Sequence, residues 1–352
     1  MKKTLVYLTL AAVLLGACAK APKTSKNESA RRYLESWMHL NHPDAQKTPL
    51  GSYIIEDIPG TGAPAGTYSQ HPYAQVAYTV RDLAGAVSLT TDERLSKQLG
   101  TYNEQGYYGP VLWYRGDNAL LAGLEEAVAD MRCGGTRTIV IPGWLMGSES
   151  TTGTAYHYDT AEEYYEKVSG SAPAVYTITL TDAFDDVVKW ENDSLARYVP
   201  AHFPRLAAAD SVKQGFYYCR TETPSSLKEF TKDTTIYVNY IGRRLDGVVF
   251  DTNIADTAKY YGLYSASRKY GPAAIKWYGS EGDYTDMEMT SAGSSTSTSV
   301  IPGFAFGLDQ MHPHEKGTAI FSSSWGYGSR SASSAIPAYS PLRFDFEIVD
   351  KP

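Results

Sequence analysis

At 352 residues the chain is long for one small domain, and length alone suggests about two. Hydrophobic content of 43% supports sizeable cores, while a net charge of −7 without a basic stripe argues against a nucleic-acid partner. The 28 tyrosines suit strands with half-wet faces.

Lys2 and Lys3 precede an apolar run from Leu5 to Leu15, too short to span a bilayer and of a length typical of a signal peptide. The run ends in Leu15-Gly16-Ala17-Cys18, which resembles a bacterial lipobox. That resemblance implies loss of residues 1–17, lipidation of Cys18 and a flexible tether over 18–28. Several acyl chains would then hold the protein at a membrane, where a single chain binds only marginally. The implied location is the bacterial cell envelope, on the outer membrane facing the periplasm. A plain cut after Ala17 is the competing reading. Cys133 and Cys219 fall in different halves of the chain, so two free buried thiols are expected rather than a disulfide.

A helix is expected over 30–40, with Tyr33, Trp37 and Leu40 on its apolar face and His42-Pro43 at its end. Strand signals follow around Tyr53, at Val76-Ala77-Tyr78 and at Val111-Leu112-Trp113-Tyr114, the last behind Gly109-Pro110. The segment 151–171 reads as an insertion with a short helix over 160–167, and an alternating strand closes the half at 175–180. A second amphipathic helix is expected from Asp185 to Pro200.

From there the pattern repeats. Val238-Asn239-Tyr240 reaches Gly247 as Val76-Ala77-Tyr78 reaches Gly85, and Gly271-Pro272 answers Gly109-Pro110. Ile301-Pro302-Gly303-Phe304 answers Leu121-Ala122-Gly123-Leu124, Met311 answers Met131, and an alternating strand over 342–348 ends the chain. The chain therefore divides into 29–184 and 185–352, each a helix, a leading strand and a β-rich domain. The Ser, Thr and Gly runs of 280–299 read as a long flexible insertion in the second copy.

The second copy carries Asp246-Gly247-Val248-Val249-Phe250-Asp251, Val300-Ile301-Pro302-Gly303-Phe304, Trp325-Gly326-Tyr327-Gly328, Ile336-Pro337 and an alternating run from Leu342 to Glu347. In that order and spacing it resembles an FKBP-type peptidyl-prolyl isomerase, a likeness that covers 50–183 and 213–350. The resemblance implies an α+β fold: two tandem FKBP-like domains, each a twisted antiparallel sheet wrapped around a short helix. It implies proline-containing polypeptides as substrates, with no cofactor and no metal. It assigns Tyr240 and Phe250 to the pocket wall, Asp251 as the carboxylate facing the amide, and the Ile301 N–H to a substrate carbonyl. Phe304 takes the floor, Tyr327 the hydroxyl donor and Phe344 the last strand's aromatic, while Val300, Ile336 and Ile275 border the substrate.

Such chemistry needs no nucleophile. The barrier is loss of amide resonance, about 18–20 kcal/mol. A twisted amide is less charge-separated than a planar one, so an apolar cradle favours the transition state over the ground state.

The first copy keeps Tyr78 but has Ser88 and Leu89 in place of Phe250 and Asp251, Leu124 in place of Phe304, and Met146 near the place of Tyr327. Isomerase activity in the folding of extracytoplasmic proteins is therefore expected from the C-terminal domain, with the first as a packing or peptide-holding module. The alternative is a non-catalytic peptide-binding or scaffold lipoprotein. His312-Pro313-His314-Glu315 reads as a solvated turn, since zinc sites want three or four ligands. No Gly-x-Ser-x-Gly elbow occurs.

Overall fold

The computed structural model describes residues 25–207, 210–222, 224, 226–231, 234–277 and 284–352. The apolar leader and Cys18 lie outside the described residues. Among the described residues, no helix is long and apolar enough to cross a membrane.

The first unit opens with helix α1 (Glu28–Asn41), followed by β1 (Gln46–Lys47), β2 (Tyr53–Ile58), β3 (Tyr73–Arg81) and β4 (Val87–Thr90). Next come α2 (Glu93–Leu99), β5 (Val111–Tyr114), α3 (Ala122–Val128), β6 (Thr136–Ile141), α4 (Ala161–Lys167) and β7 (Ala174–Phe184). Its antiparallel sheet runs β1-β2-β6-β7-β3-β4, with β5 also on β3. Helix α5 (Val187–His202) leads into the second unit: β8 (Phe216–Glu222), β9 (Thr235–Arg244), β10 (Val249–Thr252), α6 (Ala255–Tyr260) and β11 (Ala273–Lys276). Then follow β12 (Glu288–Thr290), β13 (Thr298–Ser299), α7 (Pro302–Asp309), β14 (Lys316–Phe321) and β15 (Leu342–Val349). This sheet runs β13-β12-β11-β9-β15-β14-β8, with β10 also on β9.

Alternation explains the strands. On β15, Leu342, Phe344, Phe346 and Ile348 are buried while the residues between them are half-exposed, the period of two that puts one face into a core. That face meets α7, whose Phe304, Phe306 and Leu308 are all buried; Pro302 in the first turn presets the helix.

The two units share local geometry as well as order. Tyr78 N donates to Thr91 Oγ1 at 2.9 Å, and Tyr240 N to Asn253 Oδ1 at 2.8 Å. Gly109 and Gly271 hold φ of 138° and 140°, and each donates its N–H at 2.9 Å, to the carbonyls of Thr91 and Asn253 respectively. Both β3–β4 and β9–β10 carry a bulge, and beyond it Leu89 faces Val80 as Asp251 faces Gly242. The duplication expected from sequence is thus present in the hydrogen bonding itself.

Three sequence expectations change. In α1 the buried residues are Leu34 and Met38, while Tyr33 and Leu40 are 59% and 79% exposed. The stripe Ala30-Leu34-Trp37-Met38 has the i, i+4, i+7, i+8 spacing of a core-facing face. Helix α5 starts at Val187, capped by Asp186 Oδ1 on Lys189 N at 3.0 Å, and passes Pro200 to end at His202. The segment 280–299 is not a loop throughout: β12 and β13 extend the sheet beyond β11, and Met287 is buried. Cys133 and Cys219 are both free, as expected.

The insertion of the first unit is a latch for α1. Asn27 is almost fully buried and donates to the carbonyls of Tyr165 and Val168 at 2.7 and 2.6 Å, while accepting from Gly170 N at 3.1 Å. Glu28 accepts from the Tyr165 hydroxyl and pairs with Arg32 at 2.6 Å and Arg31 at 2.9 Å. Tyr165 first, then Arg32, draw its pKa from 4.5 down to about 2. A depressed carboxylate contributes stability that is complete above its unfolded value and lost as pH falls through its folded one. The difference in melting temperature between wild type and Glu28→Gln should therefore be full above pH 4.5 and vanish toward about pH 2. A pH-independent difference would rule the latch out as the cause.

Candidate functional site

Strand β9 lies between β11 and β15 and presents Ile236, Val238, Tyr240, Gly242 and Arg244 to the inner side. Tyr240 is 3% exposed, and its ring meets Phe304 edge-on at 5.4 Å and Phe344 at 6.3 Å. Phe344 in turn meets Phe304 at 5.2 Å and Phe250 at 5.7 Å, both edge-to-face. Edge-to-face pairs match ring edges to ring faces and fix each ring's tilt. Tyr240, Phe304 and Phe344 form the buried floor; Phe250, Val300 and Ile301 pack on it and are partly exposed.

The polar groups gather at one side. The Tyr240 hydroxyl donates to Asp251 Oδ2 at 2.7 Å, and Arg268 donates to Asp251 Oδ1 at 2.6 Å and to the Tyr240 oxygen at 3.4 Å. Burial, reinforced by the Asp251 charge, pushes the Tyr240 pKa up, so its hydroxyl stays a donor. Burial works against the Arg268 cation, but its bond to Asp251, the Asp251 charge and Tyr240 together outweigh this and the pKa rises. Tyr327 is 38% exposed; burial first and then Asp251 raise its pKa, which places it in the field of that carboxylate.

The structure brings Tyr240, Phe250, Asp251, Phe304 and Phe344 into one connected group, with Val300 and Ile301 on the same core. Ile301 caps α7, its carbonyl accepting from Phe304 and Ala305 N at 3.0 and 3.1 Å. Ile336 is buried, its N–H donating to Ser333 O at 3.1 Å. Ile275 departs from its expected place at the substrate. It is fully enclosed, on a strand flanked by β9 and β12, and serves the core instead. Tyr284, within the 280–299 segment, packs against Phe306 and Trp325 rather than against Phe250, Phe304 or Phe344.

Two site residues escaped sequence reasoning. Arg268 belongs to no motif, but Gly106 occupies its place in the first unit. The placement follows from Tyr102 stacked on Tyr108 at 5.3 Å and Tyr264 stacked on Tyr270 at 5.2 Å, which fix the alignment of the two loops. Leu89 and Gly106 thus stand where Asp251 and Arg268 form their ion pair. The second is Gly242, where a Cβ would lie 2.7 Å from the Phe250 ring and 3.0 Å from that of Phe344. Its counterpart is Val80, and the counterpart of Phe250 is Ser88. The first unit fills with a valine the space that the second gives to an aromatic ring.

Glu315 is not in a solvated turn. It is fully buried and accepts from Tyr218 Oη at 2.6 Å, Arg220 Nε at 2.9 Å and His312 N at 3.1 Å, with His312 Nδ1 at 3.0 Å. Burial raises its pKa, but these bonds prevail and the net shift is downward. Among the described residues no group of His, Cys, Asp and Glu is set to hold a metal.

Residues 281–349 match the family described as FKBP-type peptidyl-prolyl cis-trans isomerase. The match covers about a fifth of the chain and lies within its second unit. The α+β arrangement, an antiparallel sheet with a short helix on its face, occurs twice in tandem. No curated protein matches the sequence. Similar solved structures include the three FKBP domains of wheat FKBP73, at 15% identity over 85% of this chain and 94% of that one, with a TM-score of 0.27. A peptidyl-prolyl cis-trans isomerase of Pseudomonas syringae pv. tomato shares 18% identity over 47% of this chain and 96% of its own, with a TM-score of 0.28. FkpA of Escherichia coli shares 18% identity over 52% of this chain and 71% of its own, with a TM-score of 0.30.

Gly242→Val should destabilise the chain by about 1–3 kcal/mol through overpacking against Phe250. Adding Phe250→Ser, which recreates the arrangement of the first unit, should restore most of that loss. Denaturant unfolding of the two singles and the double measures the coupling. Additive losses would show that the two positions do not share one space.

Proposed function

We propose that the FKBP-type domain accelerates cis–trans exchange of X-Pro bonds in extracytoplasmic polypeptides, and that the activity resides in 185–352. The supporting observation is the aromatic floor of Tyr240, Phe304 and Phe344 with Asp251, Arg268 and Tyr327 at its side. A prolyl ring seated on that floor leaves its amide in an apolar setting that favours the twisted form. The polar side offers hydroxyl and N–H groups to the carbonyls as conjugation is lost. Each tenfold in rate asks for about 1.4 kcal/mol, within reach of two or three such contacts. In this reading Tyr240, Phe250, Asp251, Ile301, Phe304, Tyr327 and Phe344 form the catalytic surface, bordered by Val300 and Ile336.

The first domain, 29–184, is assigned a non-catalytic role. Leu89, Gly106 and Val80 remove the carboxylate, its cation and the aromatic pocket together. The lipobox-like ending at Cys18 supports a lipid anchor in the cell envelope, with the periplasm as the place of work.

The full chain should accelerate isomerisation of a prolyl tetrapeptide. Asp251→Ala should lower kcat/KM about tenfold, while Leu89→Ala should leave it unchanged. A rate equal to the uncatalysed one sinks the enzyme reading, and equal losses from both substitutions sink its placement in the second domain. Cys18→Ser should move the expressed protein from the membrane to the soluble fraction; retention at the membrane would remove the anchor from this reading.

A further inference from the structure

Arg244 ends β9 and is 5% exposed. Its charge is met by Asp246, which accepts from Nε at 3.0 and 3.2 Å and from Nη2 at 2.7 Å. The remaining nitrogen, Nη1, faces three carbonyls: Ala335 O at 2.8 Å, Gln105 O at 3.2 Å and Gly106 O at 3.2 Å. Two of these belong to the first unit and one to the second. The guanidinium also lies 5.2 Å from the centre of the Tyr107 ring.

Nearby bonds fasten the same two segments. Tyr107 N donates to Ser334 O at 3.1 Å, and Gln105 Nε2 donates to Tyr261 O at 3.1 Å. The loop 105–107 of the first unit is therefore seated against 334–335, directly before Ile336. It is seated also against Tyr261, in the loop that leads to Arg268. Ala335 and Ile336 are themselves buried, in a turn closed by Ala332 N on Ile336 O at 3.0 Å. An arginine fork is suited to this work because its donors are planar and fixed in direction, where lysine offers a single point of charge.

We infer that the first domain, which lacks the polar groups of the site, holds the site loop of the second in shape, with Arg244 as the positioning residue that couples them. This rests on the reading of 185–352 as the isomerising domain. The residue touches no substrate. It acts by fixing where Ile336 and its neighbours stand, so its removal should weaken substrate binding more than the chemical step.

The test uses the full chain with Arg244→Met, Arg244→Lys and the first-domain pair Gln105→Ala/Tyr107→Ala. Kinetics on a prolyl tetrapeptide are read beside amide exchange at Ala335 and Ile336 and the melting temperature. Arg244→Met should raise KM about tenfold with kcat within about twofold, and speed exchange at both amides by about tenfold. Arg244→Lys should recover part of each, and the first-domain pair should give the same signature at smaller size. Unchanged KM and exchange in Arg244→Met and in the pair would overturn the inference. So would a fall in kcat that merely tracks loss of folded protein in both. Should the wild type show no isomerisation, the functional reading fails and exchange alone decides the coupling: faster exchange in the first-domain pair supports it, and unchanged exchange overturns it.

Discussion

Strand β9 is hydrogen-bonded along both edges, and its period of two decides what the second unit can do. Tyr240, Gly242 and Arg244 follow one another on its inner side. The first supplies the site with a hydroxyl and a ring, the second clears room for Phe250, and the third reaches across to the other unit. A slip of one residue would turn all three outward at once and put Ile241 and Arg243 into the core. The long pairing of β9 with β15, from Arg244 opposite Leu342 to Tyr237 opposite Val349, holds that register.

Comparison of the two units shows divergence in matched pairs. Where the second unit has an ion pair the first has a leucine and a glycine; where the second has a glycine beside a phenylalanine the first has a valine beside a serine. Each pair keeps the local account of charge or volume closed, because an orphaned arginine or an empty ring-sized space would be costly. What stayed constant is the backbone machinery: the positive-φ glycines, the bulge, the cap on the tyrosine N–H and the stacked tyrosine loop. The fold and the site are thus separable in this chain, one written in turns and the other in a few inward side chains.

Much of this was legible in the sequence, and what escaped it did so for physical reasons. The alternating strands and the duplication follow from periodicity and matched spacing, and the cradle of Tyr240, Phe250, Asp251, Phe304 and Phe344 from the family resemblance that the motifs carry. Arg268 escaped because a lone cation in a polar loop has no period; only its loss in step with Asp251 marks it. Glu315 was misread because a charge in a turn is normally solvated, and only tertiary structure places Tyr218, Arg220 and His312 around it. The face of α1 was misjudged because Tyr33 and Leu40 are apolar by type, while only the side bearing Leu34 and Met38 enters the core. The β12–β13 pairing was hidden by serine and threonine, which favour turns when isolated yet can close a sheet edge when paired.

Helix α5 carries a last consequence. Trp190 stacks on Phe184 at 4.9 Å and donates to Asp182 at 2.9 Å, both in the first unit. Its neighbour Glu191 accepts from the N–H and hydroxyl of Ser323 at 2.7 and 2.6 Å, both in the second. Further along, Leu195 and Val199 cover Tyr217 and Ile320 on the outer side of the second sheet. Two successive side chains thus grip opposite partners. A cut before the helix leaves the first unit's terminal strand without its aromatic cover, and a cut after it bares an apolar patch and the N–H and hydroxyl of Ser323 on the second. The helix between the two repeated units is thus a structural part of both.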